Sequence, residues 1–129
     1  MEVIIDTDVA IDFLRGDEVI KNTLLKLWKT NMAHISILSV YELFAGMKEN
    51  EKEYTLNFIN ASFVEPVSMG IAEHGGRLFK KYREKGITLT TVDCLIMATA
   101  HFKKYKIFTK NIRHYPEKDL LYHVHKLNK

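Results

Sequence analysis

The sequence predicts a three-layer α/β/α domain, in which a central, mostly parallel sheet of about four to five strands lies between helices. Short apolar runs of the kind found in buried strands alternate with longer stretches of helical periodicity. Hydrophobic residues make up 47% of the 129 residues, enough for one continuous core, and neither a linker nor an internal repeat divides the chain. We therefore expect residues 1–129 to form a single domain.

The first half of the sequence predicts two strands, each followed by helical structure. In order, the predicted elements are a strand at 3–5, a helix at 9–14, a helix at 17–30, a strand at 34–38 and a helix at 40–47. Gly16 ends the first helix and Asp17 caps the second. Ser39 is expected to end the second strand and to cap the helix that follows it.

The second half continues the alternation. In order, we expect a charged helix at 51–59, a short strand at 63–67, a helix at 70–85, a helix at 90–104, a strand at 107–109 and a fifth strand at 121–124. Gly86 follows the third of these elements as a typical C-terminal glycine. Thr90 or Thr91 then begins the next helix.

The composition excludes several classes of protein. The single cysteine, Cys94, rules out an internal disulfide and a cysteine-based zinc cage. No signal peptide is visible, and no apolar run approaches the roughly 18 residues that a membrane span needs. We therefore expect a cytoplasmic protein.

Basic residues are concentrated in two stretches, although the net charge is only +3. One stretch comprises Lys80, Lys81, Arg83 and Lys85, and the other Lys103, Lys104, Lys106, Lys110 and Arg113. Either stretch alone is typical of a solvated helix face. Beside an acidic metal site, the same stretches would form a surface that follows the phosphates of a nucleic acid.

Three acidic residues occupy positions that a parallel sheet would bring together. Asp6 directly follows the first strand, Glu42 lies in the first turn of the helix after the second, and Asp93 in the first turn of the helix before the fourth. Ligands collect at the carboxyl ends of parallel strands, so we expect these carboxylates to meet there. Oxygen ligands favour Mg²⁺ or Mn²⁺, which activates water for phosphodiester hydrolysis.

Each of these acids also has a purely structural interpretation. Ser39 with Glu42, and Thr90 with Asp93, have the spacing of capping boxes, in which the acid satisfies a helix N-terminus. Asp6 could likewise cap the helix that follows it. The two interpretations are compatible, because a capping carboxylate has a second oxygen that remains available to a metal.

Four blocks of the sequence resemble the PIN domain, and specifically the VapC-type toxins of bacterial and archaeal toxin–antitoxin pairs. The blocks lie at 4–16, 37–46, 93–100 and 107–115, occur in the family's order and cover nearly the whole chain. Each block alone is a weak match, but four blocks in register are specific.

This resemblance implies a parallel sheet between helices and a Mg²⁺- or Mn²⁺-dependent endoribonuclease that cleaves RNA. It also implies a homodimer that a cognate antitoxin protein inhibits. Asp6, Glu42 and Asp93 take the family's acidic positions, and Thr7 would orient a ligand or a water through its hydroxyl. Arg15 and Lys110 flank the same predicted site, where either could hold an RNA phosphate.

The sequence departs from the family's pattern after the fourth strand. Many members carry a further aspartate at or near the place of Asn111 or His114, and neither residue is acidic here. Asn111 can still offer a neutral oxygen to metal-bound water. We therefore expect one metal ion, with RNA helping to recruit another.

Alternative functions remain open at this stage. Asp6 and Asp8 after an apolar strand also resemble the acidic pair of haloacid-dehalogenase-type phosphatases, but that interpretation leaves Glu42 without a role. A receiver domain requires its phosphorylated aspartate after a central strand. The predicted third strand, with Val64, Glu65 and Pro66, offers no aspartate there. A PIN-fold nuclease that processes RNA without being a toxin, and a catalytically silent binding module, complete the alternatives.

Overall fold

The computed structural model describes residues 1–124, which form a four-stranded sheet with helices on both faces. The strands are β1 (Val3–Ile5), β2 (Ala33–Ser36), β3 (Phe63–Glu65) and β4 (Lys106–Phe108). The α-helices are α1 (Thr7–Leu14), α2 (Glu18–Lys29), α3 (Ile37–Gly46), α4 (Lys52–Ala61), α5 (Met69–Glu84) and α6 (Thr91–Lys103). The strand order is β3-β2-β1-β4, and each neighbouring pair is parallel. The predicted three-layer fold is confirmed.

The alternating side chains of β1 divide the interior into two cores. Val3 and Ile5 pack against the layer formed by α1 to α4, whereas Ile4 packs against α5 and α6. All three are fully buried, because β1 lies inside the sheet and is covered on both faces. The carboxyl end of β1 therefore opens at the middle of one sheet edge, and this end carries Asp6.

Two predicted helix boundaries in the second half are confirmed. The hydroxyl of Thr90 accepts a hydrogen bond from the backbone N of Asp93 at 3.0 Å, and α6 begins directly after this cap. Gly86 follows α5 with a φ of +81°, a conformation that glycine adopts without steric cost. None of the helices within residues 1–124 has both the length and the hydropathy of a membrane-spanning helix.

Helix α3 begins at Ile37, and the prediction that it begins at Val40 is wrong. The Ser36 side chain caps it by accepting a hydrogen bond from the backbone N of Leu38 at 3.1 Å. Ser39 therefore lies inside the helix and is fully buried, so the predicted capping box with Glu42 is wrong, and the strand predicted at 34–38 ends two residues earlier, at Ser36. The β2–β3 ladder ends where Ser36 pairs with Glu65, which leaves the following residues free to turn into the helix.

The predicted fifth strand at 121–124 does not form. Leu121 makes a single parallel bridge to Ile107, supported by a 2.8 Å hydrogen bond from the backbone N of Tyr122 to the Ile107 carbonyl. A short 3₁₀ turn (Lys118–Leu120) precedes this point, so the chain reaches β4 at one position rather than along a ladder.

Candidate active site

Asp6 directly follows β1 and caps α1, so its structural interpretation as a helix cap is confirmed. Its Oδ1 accepts a hydrogen bond from the backbone N of Thr7 at 2.8 Å. Its Oδ2 accepts hydrogen bonds from the hydroxyls of Thr109 and Tyr115, each at 2.9 Å. The side chain is only 6% exposed, so its remaining contacts with solvent are few.

Tyr115 connects Asp6 to Asp93. Its hydroxyl lies 2.9 Å from Asp6 Oδ2 and 3.2 Å from Asp93 Oδ1, and its ring is fully buried. The first turn of α6 carries Asp93, as predicted. The sheet edge therefore brings these two predicted acids together, with one hydroxyl between them.

The electrostatics of the pair show an excess of negative charge. Burial, together with the charges of Asp8 and Asp93, raises the pKa of Asp6 to about 6, although the hydrogen bonds from Thr109 and Tyr115 act in the opposite direction. Burial and the carboxylates of Asp6 and Asp93 hold the pKa of Tyr115 well above its ordinary value. Tyr115 therefore keeps its proton and acts as a donor at neutral pH.

Glu42 lies beside this pair and reaches it through Thr7. The Thr7 hydroxyl lies 2.6 Å from Glu42 Oε1 and 3.0 Å from the buried hydroxyl of Ser39. Because the backbone N of Thr7 binds Asp6, one residue fixes both predicted acids. Glu42 projects from the second turn of α3 rather than the first, because the helix begins earlier than predicted.

Asp8 holds the loop after β4. Its Oδ2 accepts hydrogen bonds from the backbone N of Lys110 and of Asn111, each at 3.0 Å, and its Oδ1 accepts one from the backbone N of Val9 at 2.7 Å. Asp8 lies in the first turn of α1, so it acts as a helix-start residue as well as holding this loop. They also place the Thr109 hydroxyl, which follows β4, against Asp6.

The other predicted site residues lie at the rim. The Lys110 ammonium forms an ion pair with Asp12, so it does not stand free to hold an RNA phosphate. Arg15 is exposed and lines a cleft of about 320 Å³ that also contains Glu42. Asn111 contributes its backbone N to Asp8, and its side chain is exposed, as is that of His114.

Sequence reasoning missed Tyr115 and Thr109 as site residues. Both are among the most buried polar side chains of the protein, at 0% and 4% exposure. The one available signal was their position in the block at 107–115, which resembles the family, yet a lone tyrosine in a loop has no distinguishing pattern. Its role depends on contacts across 109 positions of sequence.

The donor atoms at this edge fit Mg²⁺ or Mn²⁺, because they are carboxylate and hydroxyl oxygens. A cation between Asp6 and Asp93 would also relieve the repulsion that raises the pKa of Asp6. Within the described residues, no three His, Cys, Asp or Glu side chains already form a metal cage. Mg²⁺ does not need one, since it keeps several waters and is usually held by one or two carboxylates. The pair fits a water-rich site of that kind, with Glu42 one hydroxyl away.

Comparisons with known proteins agree with this fold and arrangement. The family model for the PIN domain matches residues 3–118. Ribonuclease VapC19 of Mycobacterium tuberculosis is 36% identical over 114 residues, which cover 88% of this chain and 91% of that protein. Ribonuclease VapC1 of Methanocaldococcus jannaschii is 26% identical over 115 residues, which cover 88% of this chain and 79% of that protein.

Solved structures share the fold at lower sequence identity. A toxin–antitoxin complex from Klebsiella pneumoniae has a TM-score of 0.80 at 22% identity, covering 95% of this chain and 97% of that chain. VapBC2 from Rickettsia felis, bound to a DNA fragment from its promoter, has a TM-score of 0.78 at 20% identity, covering 94% and 96%. Together with the sequence matches, these likenesses show that the chain belongs to the PIN-domain family, among its VapC-type members.

Proposed function

We propose that this protein is a cytoplasmic endoribonuclease that depends on Mg²⁺ or Mn²⁺ and acts as the toxin of a toxin–antitoxin pair. The observation that carries the proposal is the pair formed by the buried Asp6 and the half-buried Asp93, which share the Tyr115 hydroxyl at the carboxyl edge of the sheet. The relatives named Ribonuclease VapC support the reaction, and the solved toxin–antitoxin complexes support an antitoxin partner.

Some residues of the site would hold the metal ion, and others orient the carboxylates. Asp6 and Asp93 would hold the ion, which when bound polarises a phosphoryl oxygen and lowers the pKa of a water. Tyr115 and Thr109 fix the orientation of Asp6 Oδ2. Thr7 positions Glu42, whose carboxylate then accepts a proton from the attacking water.

A site for one ion fits this arrangement better than a site for two. Asn111 and His114 supply no carboxylate, and the carboxylate of Asp8 is engaged by three backbone N–H groups. An RNA phosphate would therefore have to contribute ligands to any second ion. The same bonds of Asp8 argue against the phosphatase alternative, which requires this residue as a free acid.

We also propose that two copies of the protein form a homodimer. Ile37, Tyr41 and Phe44 form one stripe along α3, at exposures of 43%, 69% and 39%. Large apolar side chains exposed at helical spacing mark a surface for association. The stripe starts directly after β2, on the same helix as Glu42, so a partner seated there would border the site.

Cleavage of a labelled single-stranded oligoribonucleotide tests the reaction. We expect products with Mg²⁺ or Mn²⁺, none with EDTA, and a loss of at least about a hundredfold in Asp6→Asn and Asp93→Asn. Asp119→Asn, an exposed aspartate on a distant turn, is the matched control and should retain the wild-type rate. Equal cleavage by the wild type and Asp6→Asn would overturn the proposal.

Growth separates a toxin from an RNA-processing nuclease of the same fold. Expression of the wild type should arrest growth, expression of Asp6→Asn should not, and the product of a neighbouring small gene with a DNA-binding pattern should restore growth. Active nuclease without arrest would instead indicate the RNA-processing alternative.

A further inference from the structure

A groove lies between α5 and α6, and its lining includes residues of the first turn of α6, the turn that carries Asp93. It has a volume of about 460 Å³ and receives Thr91 and Leu95 from α6 and Gly76, Phe79, Lys80 and Arg83 from α5. Thr91 lies two positions before Asp93 in the same helical turn. Since a helix rises about 1.5 Å per residue, Thr91 and Asp93 are about 3 Å apart along the axis of α6, and their side chains point to different faces of this turn.

The lining of the groove combines an apolar floor with a cationic rim. Gly76 and Leu95 contribute to the floor, and the Phe79 ring forms a half-buried wall. The guanidinium carbon of Arg83 lies 5.3 Å from the centre of this ring, so the cation and the aromatic surface belong to one wall. Lys80 adds a second exposed cation, and no acidic residue is among the described residues that line the groove.

The two adjacent glycines of α5 have different surroundings. A Cβ at Gly75 would lie 2.8 Å from Leu95 Cδ2, so this glycine permits the close approach of α5 and α6. A Cβ at Gly76 would meet nothing within 4 Å. Glycine inside a helix costs about 1 kcal/mol relative to alanine, and at Gly76 no packing contact offsets this cost. The missing side chain at Gly76 keeps the groove open.

We propose that this groove binds one unpaired nucleobase of the RNA substrate close to the scissile phosphate. The base stacks against Phe79, and the adjoining backbone phosphates lie at Lys80 and Arg83. A single-stranded nucleotide has this combination of a flat apolar base and an anionic backbone, and aromatic residues beside cations are its usual receptor. The inference rests on the proposed function and adds where the substrate strand is held.

Charge distinguishes this groove from the cleft that contains Arg15 and Glu42. The cleft beside Arg15 contains Glu42 and Glu51 as well as Lys48, so its charges are mixed. The α5–α6 groove contains only cations among its charged lining residues within 1–124. An anionic strand therefore fits this groove better than an apolar segment of a protein does.

Two variants test the groove by different means. Gly76→Leu adds a large apolar side chain at a position where a Cβ would meet nothing within 4 Å, and Arg83→Gln removes a cation while keeping a long polar side chain. Arg77→Gln is the matched control, because Arg77 lies on the same helix, is 72% exposed and pairs with Glu73 outside the groove. None of these residues contacts Asp6, Glu42 or Asp93 through a hydrogen bond described above.

Fluorescence anisotropy with a fluorescein-labelled single-stranded oligoribonucleotide in EDTA measures binding without cleavage. Loss of stacking on a base corresponds to roughly 5- to 150-fold weaker binding, so we expect Gly76→Leu and Arg83→Gln to raise the Kd about tenfold or more. Arg77→Gln should change it by less than about threefold. Circular dichroism melting identifies any variant that fails to fold.

The outcomes separate this inference from the proposed function. If neither groove variant weakens RNA binding relative to the wild type, the proposal that this groove binds a nucleobase is overturned. Absence of RNA binding by the wild type would also overturn it. A dimer in the wild type that Gly76→Leu converts to a monomer in light scattering would identify the groove as a contact between copies and would also overturn it. If the groove variants weaken RNA binding but the wild type cleaves no RNA in Mg²⁺, the proposed function is overturned while the proposal of RNA binding in the groove stands.

Discussion

Asp6→Asn should stabilise the metal-free protein at neutral pH, although it removes a residue of the proposed metal site. Asp6 is buried beside two other carboxylates, which raises its pKa to about 6 from an ordinary 3.8. A raised pKa means that the folded state binds the proton more tightly than the unfolded state. The resulting contribution to stability is present below about pH 4 and is lost as the pH rises through about 6.

The size of the effect follows from the pKa difference. A pKa of about 6 instead of 3.8 corresponds to about 3 kcal/mol of unfolding free energy in the metal-free protein. Asparagine stays neutral and is as good a helix cap as aspartate. Its amide can also face the hydroxyls of Thr109 and Tyr115, which rotate to accept. The variant should therefore gain up to about 3 kcal/mol above pH 6 and little below pH 4.

Urea unfolding of both proteins between pH 4 and pH 8 in EDTA measures this difference, and Asp119→Asn controls for the loss of an exposed charge. Added Mg²⁺ should reduce the difference in unfolding free energy between Asp6→Asn and the wild type, because it stabilises only the wild type. The reasoning is refuted if Asp6→Asn is less stable than the wild type at pH 7.5, or if the difference between the two does not change with pH.

Three further substitutions test the hydrogen bonds around the site. Tyr115→Phe removes a donor to Asp6 and should raise the pKa of Asp6 above about 6, measured by carbon NMR titration of its carboxyl; an unchanged pKa would contradict the bridge. Thr7→Val removes the hydroxyl that lies 2.6 Å from Glu42, so RNA cleavage should slow at least about tenfold. The unfolding free energy should fall by about 1–3 kcal/mol. Cleavage at the wild-type rate would show that Thr7 has no role in positioning Glu42. Asp8→Ala frees the backbone N–H groups of Lys110 and Asn111, whose hydrogen exchange should accelerate; unchanged exchange would show that something else holds the loop.

The fold and the placement of Asp6 and Asp93 at one sheet edge could be predicted because their signals are local. The apolar run before Asp6 marks a buried strand, and Thr90 marks the start of the helix that carries Asp93. The order of strands and helices then places both acids at one edge of a parallel sheet. These inferences need only neighbouring residues and the general rules of sheet topology.

The start of α3 could not be predicted, because two serines compete for the same role. Ser36 and Ser39 are both good helix caps and lie one turn apart. The strand ladder decides between them, since β2 pairs with β3 only as far as Ser36. That pairing involves a residue from another part of the chain, which local sequence does not encode.

The contacts of Tyr115 and Leu121 depend on how the chain folds back after β4. Asp8 fixes the beginning of this segment through the backbone of Lys110 and Asn111, and the segment then crosses the sheet edge. Tyr115 enters the site as a result, whereas Leu121 touches Ile107 at only one position. An apolar run such as 121–124 has the composition of a strand, but composition does not reveal whether a partner strand runs alongside it.

Calorimetric titration of the metal-free protein with Mn²⁺ is the most direct test of the claim that Asp6 and Asp93 hold a metal ion. The account predicts binding of about one ion per chain, abolished by Asp6→Asn and by Asp93→Asn and retained by Asp119→Asn. Absence of binding by the wild type, or binding that survives Asp6→Asn, would contradict it.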